Sequence, residues 1–119
     1  MRFNLILIVI SAALAGLAAY GFFIANEGDT YRILITAGSG LSLFVALGGL
    51  LALSSPNRGL SLNIRVISSL FFAALLIEHI IFSITGVRFT PYVIITGTLM
   101  VVYVLVCYLV IRALGKITR

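Results

Sequence analysis

Glu78 and His79 are adjacent ionisable residues inside the apolar stretch 66–85. On insertion scales an ionisable side chain within a membrane span costs about 2.5–3.5 kcal/mol, and such residues commonly mark functional sites. A carboxyl and an imidazole can each hold a proton, and a carboxylate can also bind a cation. The pair is therefore the first candidate for chemistry in this chain.

Four apolar stretches must position this pair, at residues 3–25, 33–54, 66–85 and 93–114. An α-helix rises about 1.5 Å per residue and the hydrocarbon core of a bilayer is about 30 Å thick, so about 20 apolar residues span it. Each stretch meets that length, and short polar connectors separate them. The sequence predicts a single domain, an all-α membrane protein folded as an antiparallel bundle of four transmembrane helices.

Composition supports this class and excludes others. Of the 119 residues, 62% are hydrophobic and 9% are charged, whereas about 25% are charged in a typical soluble domain. The net charge is +5, but the basic residues are scattered singly rather than gathered in a stripe, so no nucleic acid partner is expected. The expected surroundings are a lipid bilayer, in which the lone Cys107 is a small packing residue.

The basic residues also predict orientation. The side that carries both chain ends holds six of them, against two on the opposite side (Arg2, Arg58, Arg65, Arg112, Lys116 and Arg119 against Arg32 and Arg88). Cytoplasmic loops of membrane proteins carry an excess of Lys and Arg. We therefore expect both termini in the cytoplasm, and the short chain and clean bias favour a prokaryotic plasma (inner) membrane.

Depth within the bilayer suggests partners for Glu78. It lies eight residues before Gly86, which places it roughly 12 Å below the outer end of its helix. Counting inward along the neighbouring helices predicts a polar site at that level, made with hydroxyl groups that can bond a buried carboxyl: Ser39, Ser42, Thr96 and Thr98. The outer-side cations Arg32 and Arg88 are candidate counter-charges for Glu78.

Adjacent helical residues point about 100° apart, so we expect Glu78 and His79 to face different neighbours and not to pair directly. Three roles remain open for Glu78: fixing helix register, handling a proton or ion, and contacting a partner. No metal or cofactor is expected, because a lone histidine makes a haem or metal site only when several subunits contribute one each. Haem or quinone binding at His79 is the weakest alternative.

Small residues predict where helices approach closely. They recur at four-residue spacing on the first two helices: Ala12 and Gly16 on the first, and Gly38, Ser42 and Ala46, with Gly49 beyond them, on the second. The first interpretation is that these faces pack helix one against helix two. The alternative is a face for another subunit.

Ordinary enzyme chemistry is not expected. The sequence has no Ser/His/Asp set, no second carboxylate near Glu78 and no Cys/His cluster, and its connectors are too short for a catalytic domain. The leading hypothesis is a non-enzymatic accessory, assembly or interaction subunit that acts through helix packing, as a homo-oligomer or with a partner membrane protein. The alternative is a small oligomeric transporter or channel in which Glu78 is the protonatable or ion-binding group.

Overall fold

The computed structural model describes residues 2–54 and 58–115. It contains four long helices, α1 (Leu5–Ala25), α2 (Arg32–Leu47), α3 (Arg58–Thr85) and α4 (Phe89–Gly115). A π-helical segment, Gly48–Ala52, extends α2, and two-residue strands β1 (Arg2–Phe3) and β2 (Leu53–Ser54) pair with each other. The predicted all-α four-helix bundle is confirmed, and each helix is long and apolar enough to cross a membrane.

The helices alternate in direction, so the bundle has two distinct ends. We call the end with β1 and the π-helical segment the termini side, and the end with connectors 26–31 and 86–88 the loop side. Each helix packs mainly against its neighbours in sequence. The Cα extents of 53 × 28 × 15 Å describe a flattened bundle, since four helices in a square at separations of about 8–10 Å would have two similar widths.

The first helix begins at Leu5, so its predicted start at residue 3 was wrong. The side-chain oxygen of Asn4 accepts hydrogen bonds from the amides of Ile6 (3.0 Å) and Leu7 (3.3 Å), which caps the helix. Before this cap the chain is extended, because Arg2–Phe3 pairs with β2 and the Asn4 amide donates to the Ala52 carbonyl at 2.9 Å. The N-terminal segment is thus tied to the end of the second span.

The predicted second span, 33–54, is found as a helix over Arg32–Ala52, but its last turn is not α-helical. Regular α-helix stops at Leu47, and the following five residues, Gly48–Ala52, form a π-helical turn before the strand. Two consecutive glycines are poor helix formers, each about 1 kcal/mol worse than alanine. The glycine pair and the pairing of β2 with β1 therefore divert the chain where hydropathy alone predicts a continuous helix.

The third and fourth helices both begin earlier than their apolar stretches. α3 starts at Arg58 rather than residue 66, and α4 runs from Phe89 to Gly115 rather than 93–114. Polar residues continue each helix past its apolar part, and proline is tolerated in a first turn, as at Pro91. Gly86, at φ +95°, lies just past the end of α3, as expected for a C-terminal stop. The turn residues 55–57 and the basic residues Lys116 and Arg119 lie outside the described residues.

The main core joins α1, α2 and α3 around Leu43, Ala46 and Leu75, none of which is exposed. Ala46 therefore packs internally, as predicted. Ala12 and Gly16 do not: both are exposed, and a Cβ added at Gly16 would meet nothing within 4 Å.

The buried face of α1 instead contains Ser11, Ala15 and Phe22, one position out of phase with the predicted stripe. Burial of Ser11 is possible because its hydroxyl donates to the Leu7 carbonyl at 2.7 Å. The prediction that Ala12 and Gly16 pack helix one against helix two was therefore wrong.

Gly49 lets α3 and α4 approach the π-helical segment. The hydroxyls of Ser68 and Tyr103 are hydrogen-bonded at 2.6 Å, and both lie where a Cβ on Gly49 would stand. A Cβ on the neighbouring Gly48 would meet nothing within 4 Å. The two glycines therefore differ in function, because only Gly49 requires the absence of a side chain.

Gly49→Ala should destabilise the protein, because the added methyl group must displace the Ser68–Tyr103 pair. Overpacking of this kind costs roughly 1–3 kcal/mol. Thermal unfolding in detergent should show a lower midpoint for Gly49→Ala than for Gly48→Ala, which adds the same methyl group to open space. Equal midpoints for the two variants would contradict the close approach at Gly49.

Candidate functional site: a buried polar cluster

Glu78 and His79 meet two residues of α4, Tyr92 and Thr96, and these four side chains form what we call the polar cluster. Glu78 is 8% exposed and His79 is fully buried. Tyr92 and Thr96 are four residues apart and so lie on one face of α4. α3 supplies the ionisable groups, and the first two turns of α4 supply the hydroxyls that meet them.

Both ring nitrogens of His79 are hydrogen-bonded. Nδ1 lies 2.7 Å from the Leu75 carbonyl oxygen, and Nε2 lies 2.9 Å from the Tyr92 hydroxyl. A carbonyl can only accept, so Nδ1 carries a proton and donates it to Leu75. In the neutral ring Nε2 is then an acceptor, and the Tyr92 hydroxyl donates to it. This pattern fixes both the tautomer and the orientation of the imidazole.

Glu78 is held by Thr96. The threonine hydroxyl lies 2.8 Å from Oε1 and 2.9 Å from Oε2 of the carboxyl group. Oε2 is also 3.5 Å from Nδ1 of His79, a distance too long for a strong hydrogen bond. The carboxyl group is therefore anchored to α4 through one hydroxyl and lies beside the imidazole.

The expectation that Glu78 and His79 face different neighbours was therefore wrong. Their side chains do leave α3 in different directions, but α4 runs alongside α3 closely enough for successive turns to meet both. Tyr92 reaches His79 and Thr96 reaches Glu78. The Glu78 carboxyl and the His79 imidazole thereby come within 3.5 Å of each other.

Gly38 on α2 makes room for Tyr92. A Cβ added at Gly38 would overlap the Tyr92 hydroxyl and contact its ring. The Tyr92 ring also packs edge-on against His79 and Phe82, with centroid separations of 5.4 Å in each case. Gly38 was predicted to be a packing residue, and its close neighbour is α4 rather than α1.

The network extends to α1 through Asn26 and Ser83. The Asn26 amide nitrogen donates to the Phe22 carbonyl at 2.8 Å and to the Ser83 hydroxyl at 3.0 Å. Ser83 in turn donates to the His79 carbonyl at 2.9 Å. Phe22 lies against the imidazole, 5.6 Å between ring centroids. The polar cluster and its neighbours therefore contact all four helices.

The other predicted hydroxyls are not ligands of Glu78. Ser39 and Ser42 are buried, but they donate within α2, to the carbonyls of Thr36 (2.9 Å) and Ser39 (3.4 Å). Thr98 is exposed on α4, because it is two residues from Thr96 and so points away from the site. Of the four hydroxyl residues predicted for the site, Thr96 is the one placed on Glu78.

The predicted counter-charges do not reach Glu78. Nε of Arg32 donates to the Phe23 carbonyl at 2.6 Å, and its guanidinium carbon lies 3.5 Å from the centroid of the Phe23 ring. Arg88 is exposed. Among the described residues, the basic group within 4 Å of the Glu78 carboxyl is the imidazole of His79. The carbonyl and ring of Phe23, near the end of α1, thus hold Arg32 on the loop side.

Asp29 joins the two loop-side connectors. Its carboxylate accepts from the amide of Tyr31 at 2.8 Å and from the amide of Val87 at 3.1 Å. The chain therefore closes above the polar cluster, and the α1–α2 connector is fixed against the start of the α3–α4 connector.

Tyr92 and Asn26 were missed by sequence reasoning. Tyr92 has the appearance of an interfacial aromatic residue next to Pro91, and Asn26 has that of a turn residue. Spacing could have found Tyr92, because it precedes Thr96 by one helical turn and Thr96 was placed at the depth of Glu78. Asn26 carries no comparable signal, since its partner Ser83 is 57 residues away.

The polar cluster places a carboxyl, an imidazole and a phenol in contact, which is chemistry suited to hydrogen bonding and to proton exchange. It lacks the ligands for a metal, because the described residues contain no group of three or more His, Cys, Asp or Glu side chains. No family model, curated protein or solved structure matches this chain. The contacts within the chain therefore carry the functional interpretation.

Thr96→Val should destabilise the bundle by about 1 kcal/mol, since interhelical side-chain hydrogen bonds in membranes average about 0.6 kcal/mol and reach about 1.7. Valine matches the shape of threonine but leaves the Glu78 carboxyl without its donor. Thr98→Val, the same change at an exposed position two residues away, should leave stability unchanged. Unfolding of each variant in the same detergent measures both values, and similar losses would contradict the assignment of Thr96 as the anchor.

Proposed function

We propose that this protein is a non-enzymatic accessory or assembly subunit of a membrane, in which the polar cluster holds one helix arrangement and exposed helix faces contact another membrane protein or a second copy. The observation that carries this proposal is the internal use of the polar cluster. Each nitrogen of His79 and each oxygen of Glu78 has a partner inside the chain. A role in fixing register uses all of these contacts.

The exposed face of α1 supports the choice of contact surface. Ala12 and Gly16 lie on it, next to the larger exposed side chains of Leu17 and Tyr20. Small residues let helix backbones approach closely in lipid, where packing rather than the hydrophobic effect drives association. Within the part of the chain that the structure describes, this face packs against no other helix, so it is available to a transmembrane helix of a partner.

The proposed orientation places the termini side in the cytoplasm of a prokaryotic plasma membrane. The described part of that side exposes Arg65 and Arg112. In the sequence that side holds six basic residues, against Arg32 and Arg88 on the loop side. This distribution follows the positive-inside pattern.

Gly16→Leu should abolish the association, because it adds a large side chain to the proposed contact face without touching the protomer. Gly97→Leu is the matched control, since a Cβ at Gly97 on α4 also meets nothing within 4 Å. The tagged chain and both variants are purified from native membranes in mild detergent, and the eluates are examined by mass spectrometry and native mass measurement. We expect a stoichiometric complex for the original chain and Gly97→Leu, and its loss for Gly16→Leu.

A monodisperse protomer for the original chain would overturn the proposal. Retention of the same complex by Gly16→Leu would exclude the α1 face as the contact surface.

A second candidate function is an oligomeric transporter or channel in which Glu78 is the protonatable or ion-binding group. The observation in its favour is a chain of contacts across the polar cluster. The Glu78 carboxyl lies 3.5 Å from the imidazole of His79, which is hydrogen-bonded to the hydroxyl of Tyr92. Acid–imidazole chains within membranes serve as proton relays in pumps and transporters.

Glu78→Gln tests this second function. Glutamine keeps the shape of the side chain and can still accept from Thr96, so folding should persist while protonation of the carboxyl is lost. If the protein moves protons or cations, flux into proteoliposomes should fall to the level of protein-free vesicles in Glu78→Gln and should persist in Thr98→Val. Equal flux for the original chain and Glu78→Gln would remove the transport hypothesis.

A further inference from the structure

A partly open cavity of about 580 Å³ lies in the termini-side half of the bundle. Its walls come from the end of α2, the π-helical segment and the second half of α4, together with Ile8 of α1, Leu53 of β2 and Ile64 of α3. On α4 the wall runs from Tyr103 to Ile111, which corresponds to about 12 Å along the helix axis. The volume falls within the range of about 300–1,000 Å³ that is typical of small-molecule sites.

The π-helical segment contributes Gly48 and Gly49 to the wall of the cavity. Gly48 lines it and carries no side chain, and a Cβ built there would enter open space. The rest of the lining is almost entirely apolar, with aliphatic and aromatic side chains such as Phe44, Ile64 and Val104. Such a wall is suited to a hydrocarbon chain and offers little to a polar solute.

The length of the cavity decides between two apolar occupants. A transmembrane helix of a partner spans about 30 Å, so a wall of about 12 Å on α4 contacts less than half of it. An acyl chain is narrower and ends within the leaflet, so it can enter such a cavity from the membrane surface. The dimensions therefore favour lipid over a partner helix.

A positive charge follows the cavity wall on α4 and favours an anionic head group. Tyr108 lines the wall, and Arg112 follows it by one turn on the same face of α4, towards the termini side. Arg112 is exposed. The acidic residues of the chain, Glu27, Asp29 and Glu78, belong to the loop side or to the polar cluster. An anionic group at this end of the cavity would therefore meet positive charge.

We propose that this cavity binds one acyl chain of an anionic glycerophospholipid, whose phosphate lies at Arg112. The polar cluster takes no part in this site, and on α1 the lining includes Ile8 but neither Ala12 nor Gly16, so either proposal can fail without the other. Occupation would fill the space that Gly48 leaves open between the π-helical segment and α4.

Native mass spectrometry of the full chain, titrated with phosphatidylglycerol or phosphatidylcholine, tests the site. We expect one phosphatidylglycerol adduct that persists at activation energies where phosphatidylcholine is lost. Gly48→Leu, which places a side chain in the cavity, should lose that adduct, whereas Gly97→Leu should keep it. Arg112→Gln should reduce the preference for phosphatidylglycerol by about five-fold, the factor expected from one basic residue near an anionic surface.

A second measurement uses the unsubstituted protein and so does not depend on the folding of a variant. Cys107 is the single cysteine of the chain and lines the cavity. Labelling of its thiol by a small apolar maleimide should slow when phosphatidylglycerol is added and should change little with phosphatidylcholine.

Three results would overturn the proposal. The first is an equal adduct in Gly48→Leu and the original chain. The second is equal retention of the two lipids, and the third is a labelling rate for Cys107 that phosphatidylglycerol does not alter.

Discussion

A membrane interior offers no water to a buried imidazole, so His79 must find both of its hydrogen-bond partners within the chain. One partner, the Leu75 carbonyl, belongs to its own helix, and the other, the Tyr92 hydroxyl, belongs to α4. That second bond requires α3 and α4 to lie side by side in one register, and it requires Gly38 on α2 to leave space for the Tyr92 ring. Satisfying a single side chain thus constrains three helices.

The four spans were predictable because their cause is local. A stretch of about 20 apolar residues is stable in the bilayer, where an α-helix satisfies the hydrogen bonds of its own backbone groups. Length and hydropathy are therefore enough to predict a transmembrane helix. The ends of the helices were not predictable in the same way. Residues 58–65 are more polar and lie before the apolar stretch of α3, but their backbone continues the helix. Residues Gly48–Ala52 form a π-helical turn although their hydropathy stays high.

The candidate site was predicted in part, for a similar reason. Depth along a helix follows from counting, so Glu78 and Thr96 could be placed at one level. Rotation about the helix axis depends on how the helices pack, so counting also selected Thr98, which is exposed. For the same reason the four-residue spacing of small residues indicated the wrong face of α1, at Ala12. Arg32 has a carbonyl and an aromatic ring within its own reach at Phe23, and a local partner of this kind outcompetes a distant carboxylate.

The two halves of the bundle differ because polar groups and glycines are distributed differently along it. In the loop-side half, Asn26, Ser83 and the polar cluster bind the helices to one another, and Asp29 closes the connectors above them. In the termini-side half, the π-helical turn begins with Gly48 and Gly49. The hydroxyls of Ser68 and Tyr103 occupy the space beside Gly49, whereas Gly48 lines the cavity. A second interhelical hydrogen bond, between the hydroxyls of Ser68 and Tyr103, fixes α3 against α4 in this half as well. The cavity lies beside this bond, with Tyr103 in its wall, so hydrogen bonding between α3 and α4 still leaves space for the hydrocarbon chain proposed above.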